Sequence, residues 1–349
     1  MPDLPKAALY YSPISVWSAV VQIAVEEKGY SPDELDFRIV DLAKGENFDP
    51  TFLRINPKAT VPTLVVPYEN ALTEADDSRY KALTETKTII EFLDKSRSAL
   101  SHTHSTSTAP APALTPATIA GANICKTIID EVLHSNEANP NTLRYVNARD
   151  DATLRALAKD TLPNLLERQK ALSSYLSQSE KGEIKVSDKV KKLWLEKLDA
   201  TNVMVTVLVD AEKKVEELDE KAQANRIAFF KTAKQAWETN LGGMLTLLSK
   251  TMVGPFACGD QFSTADLHLT GWFTRIVKLV GGTASDDGNA VVKKLEDHIG
   301  GGFKLTKEHL TEQPRRDTPK PDKQARLAVF WDAVKERRSW KKIYMDGLY

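Results

Sequence analysis

At 349 residues the chain is long enough for two domains, each able to bury its own core. Forty-seven basic residues against 48 acidic ones leave a net charge of -1, which gives no electrostatic case for nucleic acid or an anionic membrane surface. Two cysteines, Cys125 and Cys258, supply neither a disulfide framework nor a zinc site by spacing, and the six histidines are scattered, so no metal is expected. The opening Met1-Pro2-Asp3-Leu4-Pro5-Lys6 lacks a basic-then-apolar leader, and no apolar run reaches transmembrane length. A soluble, cytoplasmic, mainly helical protein is the expectation.

Ala8 to Tyr11 suit a short buried strand that Pro13 stops. From Val16 the apolar positions Val16, Val20, Ile23 and Ala24 recur at helical spacing, and Gly29 followed by Pro32 ends the helix. Ser15 stands at the helix entrance. A hydroxyl there serves as an N-cap, or donates to an anion held at the positive helix end. Leu35, Phe37 and Ile39 alternate with Asp36 and Arg38 as a second strand, and two strands joined by one helix imply a parallel pair. Asp49 to Arg54 supply a short helix. Val61-Pro62 heads the apolar run Thr63 to Val66, where proline belongs at a strand start or an edge.

Residues 67–81 are polar and acidic and predict an enlarged hairpin loop, after which Ala82-Leu83 form a last short strand. Thr84-Glu85-Thr86 open a helix with the stripe Ile89, Ile90 and Leu93. That helix start offers amides for a carboxylate and Glu85 for an ammonium, suitable equipment for an amino-acid zwitterion. Residues 98–118 shift to Ser, Thr, Ala, Pro and His and predict a linker. Beyond it the pattern is helical. The charged stretch 181–221 predicts a solvated helical arm. Ser263 and Asp266 form a capping box ahead of a helix that is apolar on most faces, a central core helix. Residues 283–321 predict loop, and the basic cluster Arg337 to Lys342 predicts favourable charge at a helix C-terminus.

In this order the signals resemble a glutathione transferase: strand-turn-Ser-helix, Val-Pro before a strand, Glu-Thr opening a helix, and Ser-x-x-Asp. The resemblance covers residues 7–95, the capping-box helix and the C-terminal tail. It implies an α+β fold, with a thioredoxin-like glutathione-binding domain over 1–97, a linker over 98–118, and an all-α C-terminal domain over 119–349 carrying the charged insertion. Ser15 matches the position that carries serine in the zeta and phi classes and cysteine in omega. Val61-Pro62 matches the pair that hydrogen-bonds the cysteinyl backbone of glutathione, with Pro62 expected cis, and Glu85-Thr86 matches the pair that binds the γ-glutamyl group.

Glu46 to Pro50, Val61 to Val66 and Arg338 to Lys341 are similar to the tetrachlorohydroquinone dehalogenase branch, and the insertion resembles that of ganglioside-induced differentiation-associated proteins. Trp17 stands where those dehalogenases carry a cysteine, which speaks against their two-step thiol chemistry. The resemblance implies glutathione as cosubstrate, a hydrophobic small-molecule electrophile, and a homodimer. Ser15 is then the expected catalytic residue, as a stabiliser of the thiolate, with Ser12 and Ser18 as substitutes. Lys58 and Asn47 are candidates for the glycine carboxylate, and Ile14 and Trp17 for the electrophile pocket. The expected reaction is conjugation or glutathione-dependent ether cleavage in detoxification. A non-catalytic ligand-binding or regulatory protein is the alternative.

Overall fold

The computed structural model describes residues 6–67, 80–98, 106–310 and 323–349. In chain order they give β1 (Ala7–Tyr11), α1 (Val16–Glu27), β2 (Leu35–Ile39), α2 (Pro50–Ile55), β3 (Thr63–Pro67), β4 (Tyr80–Leu83) and α3 (Thr86–Ser96). Helices follow: α4 (Ile119–Lys126), α5 (Pro140–Tyr145), α6 (Asp151–Glu180), α7 (Asp188–Leu208), α8 (Glu220–Lys234), α9 (Gly242–Thr251), α10 (Thr264–Leu279) and α11 (Gly288–Ile299). A hairpin of β5 (Lys307–Leu310) and β6 (Lys323–Ala325) precedes α12 (Arg326–Lys335) and α13 (Arg338–Ile343). This is the expected α+β architecture, a small thioredoxin-like sheet and helix arrangement followed by a large helical region. Two compact units interleave along the chain. One contains Met1–Pro13, Pro32–Glu85 and Arg144–Lys234, the other Ile14–Ser31, Thr86–Leu143 and Gln235–Tyr349.

The first unit holds the sheet, in the order β2-β1-β3-β4. β1 runs parallel to β2, with Ala7 opposite Leu35, as a strand-helix-strand connection requires. β3 is antiparallel to both β1 and β4, with Leu64 opposite Leu9 and Leu83. Asp49 caps α2 by accepting from the Thr51 amide at 2.7 Å, and Pro50 occupies the first helical turn, where its missing donor costs nothing. Most of the expected 67–81 loop lies outside the described residues; Pro67 belongs to β3, and Tyr80 and Lys81 to β4.

The charged arm corrects the expectation of a solvated helix. α6 and α7 pack together, and their apolar residues Leu172 and Trp194 join Phe48, Leu53 and Ala59 in one buried cluster. Trp194 is fully buried, stacks on Tyr175 with centroids 5.3 Å apart, and donates its indole N–H to the Phe48 carbonyl at 3.0 Å. Gly45, at φ +72°, lets the chain pass α6 closely, since a Cβ there would lie 2.9 Å from Ala171 Cβ. The charges of the arm face outward while a narrow apolar side anchors it, which a composition dominated by Lys and Glu conceals. Trp194→Phe keeps the ring but strands the Phe48 carbonyl, and we expect a loss of about 1–2 kcal/mol, read as a lower Tm.

The second unit is organised on α10, whose residues from Thr264 to Val277 are all buried, as its apolar pattern predicts. Asp266 accepts from the Ser263 amide at 2.8 Å, the Ser263 hydroxyl at 2.6 Å and the Ala257 amide at 2.7 Å. Burial pushes the Asp266 carboxyl up to about 6, against the pull of these three donors. α1 packs on α3, α10 and α13. At Gly271 a Cβ would sit 2.6 Å from Val20 Cγ2 and 3.1 Å from the Val16 carbonyl, so glycine sets the α1–α10 approach.

One further expectation changes. Residues 288–299, expected as loop, form α11, which Asp287 caps and which buries Val291, Val292, Leu295 and Ile299. The described part of the 98–118 linker is pinned down. Arg97 donates to the Lys28 and Ala109 carbonyls, and Ser107 donates to the Gly29 carbonyl at 2.7 Å. Residues 99–105 of that linker lie outside the described residues. The basic cluster at 337–342 puts Lys341 and Lys342 in the last turn of α13, as expected, and also reaches α1: Arg337 grips Glu27 in a two-pronged bond and Lys342 pairs with Glu26.

Candidate active site

In the first unit the candidate residues gather around the turn that leads into β3. Asn56 is fully buried, and its side-chain amide donates to the Thr60 carbonyl at 2.8 Å and to Thr63 Oγ1 at 2.9 Å. Its Oδ1 accepts from the Lys58 amide at 3.0 Å. Asn47 reaches across to donate to the Ala59 carbonyl at 2.8 Å, holding Ala59 at φ 56°. The turn so built ends in a cis Val61–Pro62 peptide bond. Among the described residues, neither the N–H nor the C=O of Val61 takes a hydrogen bond, which leaves one donor and one acceptor ahead of β3.

Lys58 Nζ pairs with the Glu85 carboxylate, both side chains being more than half exposed. Two groups expected to bind opposite ends of a ligand thus hold each other, in a pair too exposed to contribute much to stability. On β1 the Tyr10 hydroxyl accepts from Arg38 at 2.8 Å, and the Tyr11 ring meets Phe37 edge-on.

In the second unit Ser15 caps α1. Its Oγ accepts from the Ser18 amide at 3.3 Å. That bond uses a lone pair and leaves the hydroxyl proton, so a cap and a donor to an anion are compatible roles. Ser15 is half-buried, whereas Ser12 is 2% exposed and Ser18 fully buried. Just ahead of the cap, the buried Arg275 guanidinium of α10 donates to the Ile14 carbonyl at 2.6 Å. A cation is therefore fixed one residue from Ser15, at the helix end that already favours negative charge.

Ile14 is exposed, and Trp17 stacks on His134 at 4.2 Å with an interplanar angle of 18°. His134 Nε2 and His268 Nδ1 share a 2.9 Å hydrogen bond. Burial holds the His268 imidazole well below its ordinary pKa, helped by His134 and Lys87, so this ring stays neutral.

The model of the family "Glutathione S-transferase, N-terminal domain" matches residues 9–100. Residues 9–100 thus form a domain of the glutathione transferase superfamily. A curated relative, the tetrachloro-p-hydroquinone reductive dehalogenase of Sphingobium chlorophenolicum, is 41% identical over 64 residues. That match spans 18% of this chain and 25% of the relative, about a quarter of its length. Among solved structures, glutathione transferase F7 of Populus trichocarpa aligns over 97% of each chain at 16% identity, with a TM-score of 0.44. Glutathione transferase Omega 3C of Trametes versicolor aligns over 97% of this chain and 84% of its own at 14% identity, with a TM-score of 0.45.

Within the glutathione S-transferase domain, the exposed Glu85 and the buried Thr86 meet at the start of α3. Asn47 is 7% exposed, with its amide committed to the turn. A groove of about 810 Å³ on the sheet, lined by Lys6, Tyr10, Arg38 and Tyr80 among others, contains none of the expected site residues. Sequence reasoning missed Arg275, His134 and His268. They carry no local signal, since Arg275 and His268 lie on the core helix and meet partners 134 or more positions away. Among the described residues no helix is long and apolar enough to cross a membrane.

Proposed function

We propose that the chain is a glutathione-dependent transferase in which the Ser15 hydroxyl stabilises the glutathione thiolate for attack on a hydrophobic electrophile. The observation that carries this reading is the Val61–Pro62 turn, where the backbone of Val61 is uncommitted among the described residues, in a domain of this superfamily. On this reading Val61 pairs with the cysteinyl backbone of the tripeptide, as a strand edge pairs with an extended peptide. Glu85 takes the γ-glutamyl ammonium, while Thr86 and the first amides of α3 take its carboxylate. Glu85 thereby releases Lys58 for the glycine carboxylate. Asn47 acts through the turn it holds rather than on the ligand.

The thiolate adds to the electrophile, in conjugation or ether cleavage, and the leaving group departs with the bonding electron pair. A free thiol with a pKa near 8.5 is mostly protonated at pH 7, and lowering it by about two units needs about 2.7 kcal/mol of preference for the anion. The helix end contributes about 0.3–1 kcal/mol and a hydroxyl bond to a charged group about 1.5–3. Together they reach the requirement, with the Arg275 charge in addition. Ile14 and Trp17 then face the electrophile.

Retention on immobilised glutathione, combined with conjugation of a generic aryl halide, tests the assignment. Retention without turnover, unchanged by Ser15→Ala, would favour a binding protein instead, and failure of both measurements would remove glutathione from the account. Lys58→Ala should raise KM for glutathione about threefold to fivefold and leave kcat unchanged, because an exposed pair anchors the ligand without touching sulfur.

A further inference from the structure

We propose that Cys125 and Cys258 form a redox pair that closes to an intramolecular disulfide, tying α4 to the turn that precedes α10. They are the only two cysteines of the chain and stand 133 positions apart, yet their sulfurs lie 3.5 Å from each other. Cys125, in the last turn of α4, is buried, while Cys258 is half-buried. Cys258 Sγ also lies 3.5 Å from the Gly121 carbonyl of α4, and Cys125 Sγ lies 3.6 Å from Ser263 Oγ at the α10 cap.

The backbone that presents them is fixed without the thiols. Val253 donates to the Ala257 carbonyl and Phe256 to the Gly259 carbonyl, each at 3.0 Å, and the Ala257 amide is held by the Asp266 carboxylate at 2.7 Å. The turn is so tight that a Cβ on Gly254 would sit 2.7 Å from Gly259 Cα. Bond formation needs the sulfurs to close by about 1.5 Å, which rotation of the two side chains can supply.

The oxidant is a low-molecular-weight disulfide such as glutathione disulfide. The more accessible Cys258 loses its proton and attacks one sulfur, a mixed disulfide forms, and one glutathione leaves as thiolate and takes up a proton. Cys125, deprotonated in turn, attacks Cys258 Sγ and releases the second glutathione. Two electrons pass from the protein thiols to the small disulfide, so one disulfide is consumed and two thiols appear. Burial, with Cys125 and Asp266 nearby, pushes the Cys258 thiol up to about 12. Closure is accordingly slow at neutral pH and quickens about tenfold per pH unit towards alkaline solution.

The test uses the full reduced chain, incubated with glutathione disulfide at pH 8 and followed by thiol titration after denaturation, intact mass and peptide mapping. Both thiols should disappear together, with the mass falling by about two units and a Cys125–Cys258 linked peptide appearing. The oxidised chain should melt roughly 5 °C higher, and reductant should reverse the change. Cys125→Ala should instead accumulate a stable glutathione adduct on Cys258. Persistence of both thiols in the wild type, an adduct there in place of the cross-link, linkage between two chains, or an unreactive Cys258 in Cys125→Ala would each overturn the proposal. None of these readouts depends on transferase activity.

Discussion

Asp94→Ala will destabilise the protein by about 3–5 kcal/mol, a loss expected to lower Tm by roughly 10 °C. Asp94 is 8% exposed and binds four donors: Lys28 Nζ at 2.9 Å, the Leu114 and Thr115 amides at 3.0 Å each, and the Thr115 hydroxyl at 2.7 Å. Lys28 is buried more deeply still, and its other bond goes to the Pro112 carbonyl at 2.7 Å. Deleting the carboxylate strands an ammonium out of reach of water, together with two backbone donors. The cost comes from what is left behind rather than from the net worth of the pair. Lys28→Met on the Asp94→Ala background should therefore restore part of the loss, which a double-mutant cycle measures.

Acid supplies a second readout at the same residue. Burial pushes the Asp94 carboxyl up, but Lys28, the Leu114 amide and Thr115 outweigh it, and the net pKa lies below the ordinary value. A group whose folded pKa is depressed contributes stability in full above its unfolded pKa, about 4, and loses it as pH falls through the folded value. Wild-type Tm should therefore drop below about pH 4 more steeply than that of Asp94→Asn, which lacks this titration. Parallel acid limbs would show that the charge at Asp94 does not hold α1, α3 and the 107–115 segment together.

The parts of this molecule legible in the sequence are those written by neighbours in the chain. Strand, turn and helix from Ala7 to Glu27 follow from a short apolar run, a proline and a 3.6-residue stripe. The capping box at Ser263 and Asp266 needs residues only three apart. Val61-Pro62 was identifiable as a strand head because proline cannot donate to the ladder. What escaped depends on pairs with no periodicity. Trp194 looked like one apolar residue in a charged helix until its indole met the Phe48 carbonyl, 146 positions away. Lys58 and Glu85 each suit a charged ligand group, and nothing local shows that they reach one another.

The helix over 288–299 is a different case. Its stripe of Val291, Val292, Leu295 and Ile299 behind the Asp287 cap was available, but Gly281-Gly282 before it and Gly300 to Gly302 after it made the whole segment look like loop. Glycine there stops elements on either side rather than dissolving the one between, as the positive φ angles of Gly281, Gly300, Gly301 and Gly302 show.

Ser15→Ala should lower kcat/KM for glutathione conjugation by about 10- to 100-fold, the value of a hydrogen bond to a charged group. KM for glutathione should change little, because Val61, Glu85 and Lys58 are untouched, and the pH profile of the rate should move up as the bound thiol regains its proton. Alanine also removes the acceptor for the Ser18 amide, at about 1 kcal/mol of stability, so this variant alone conflates a frayed α1 with a lost donor. Ser15→Asp separates them. Aspartate caps as well as serine does, so Tm should hold, but it places a negative charge where the proposed reaction forms a thiolate. Activity should then fall below that of Ser15→Ala, while Ser15→Thr, which keeps hydroxyl and cap together, should retain most of it. Equal activity in the aspartate and threonine variants would reduce Ser15 to a cap and leave the positive end of α1, with Arg275 behind it, without a catalytic partner.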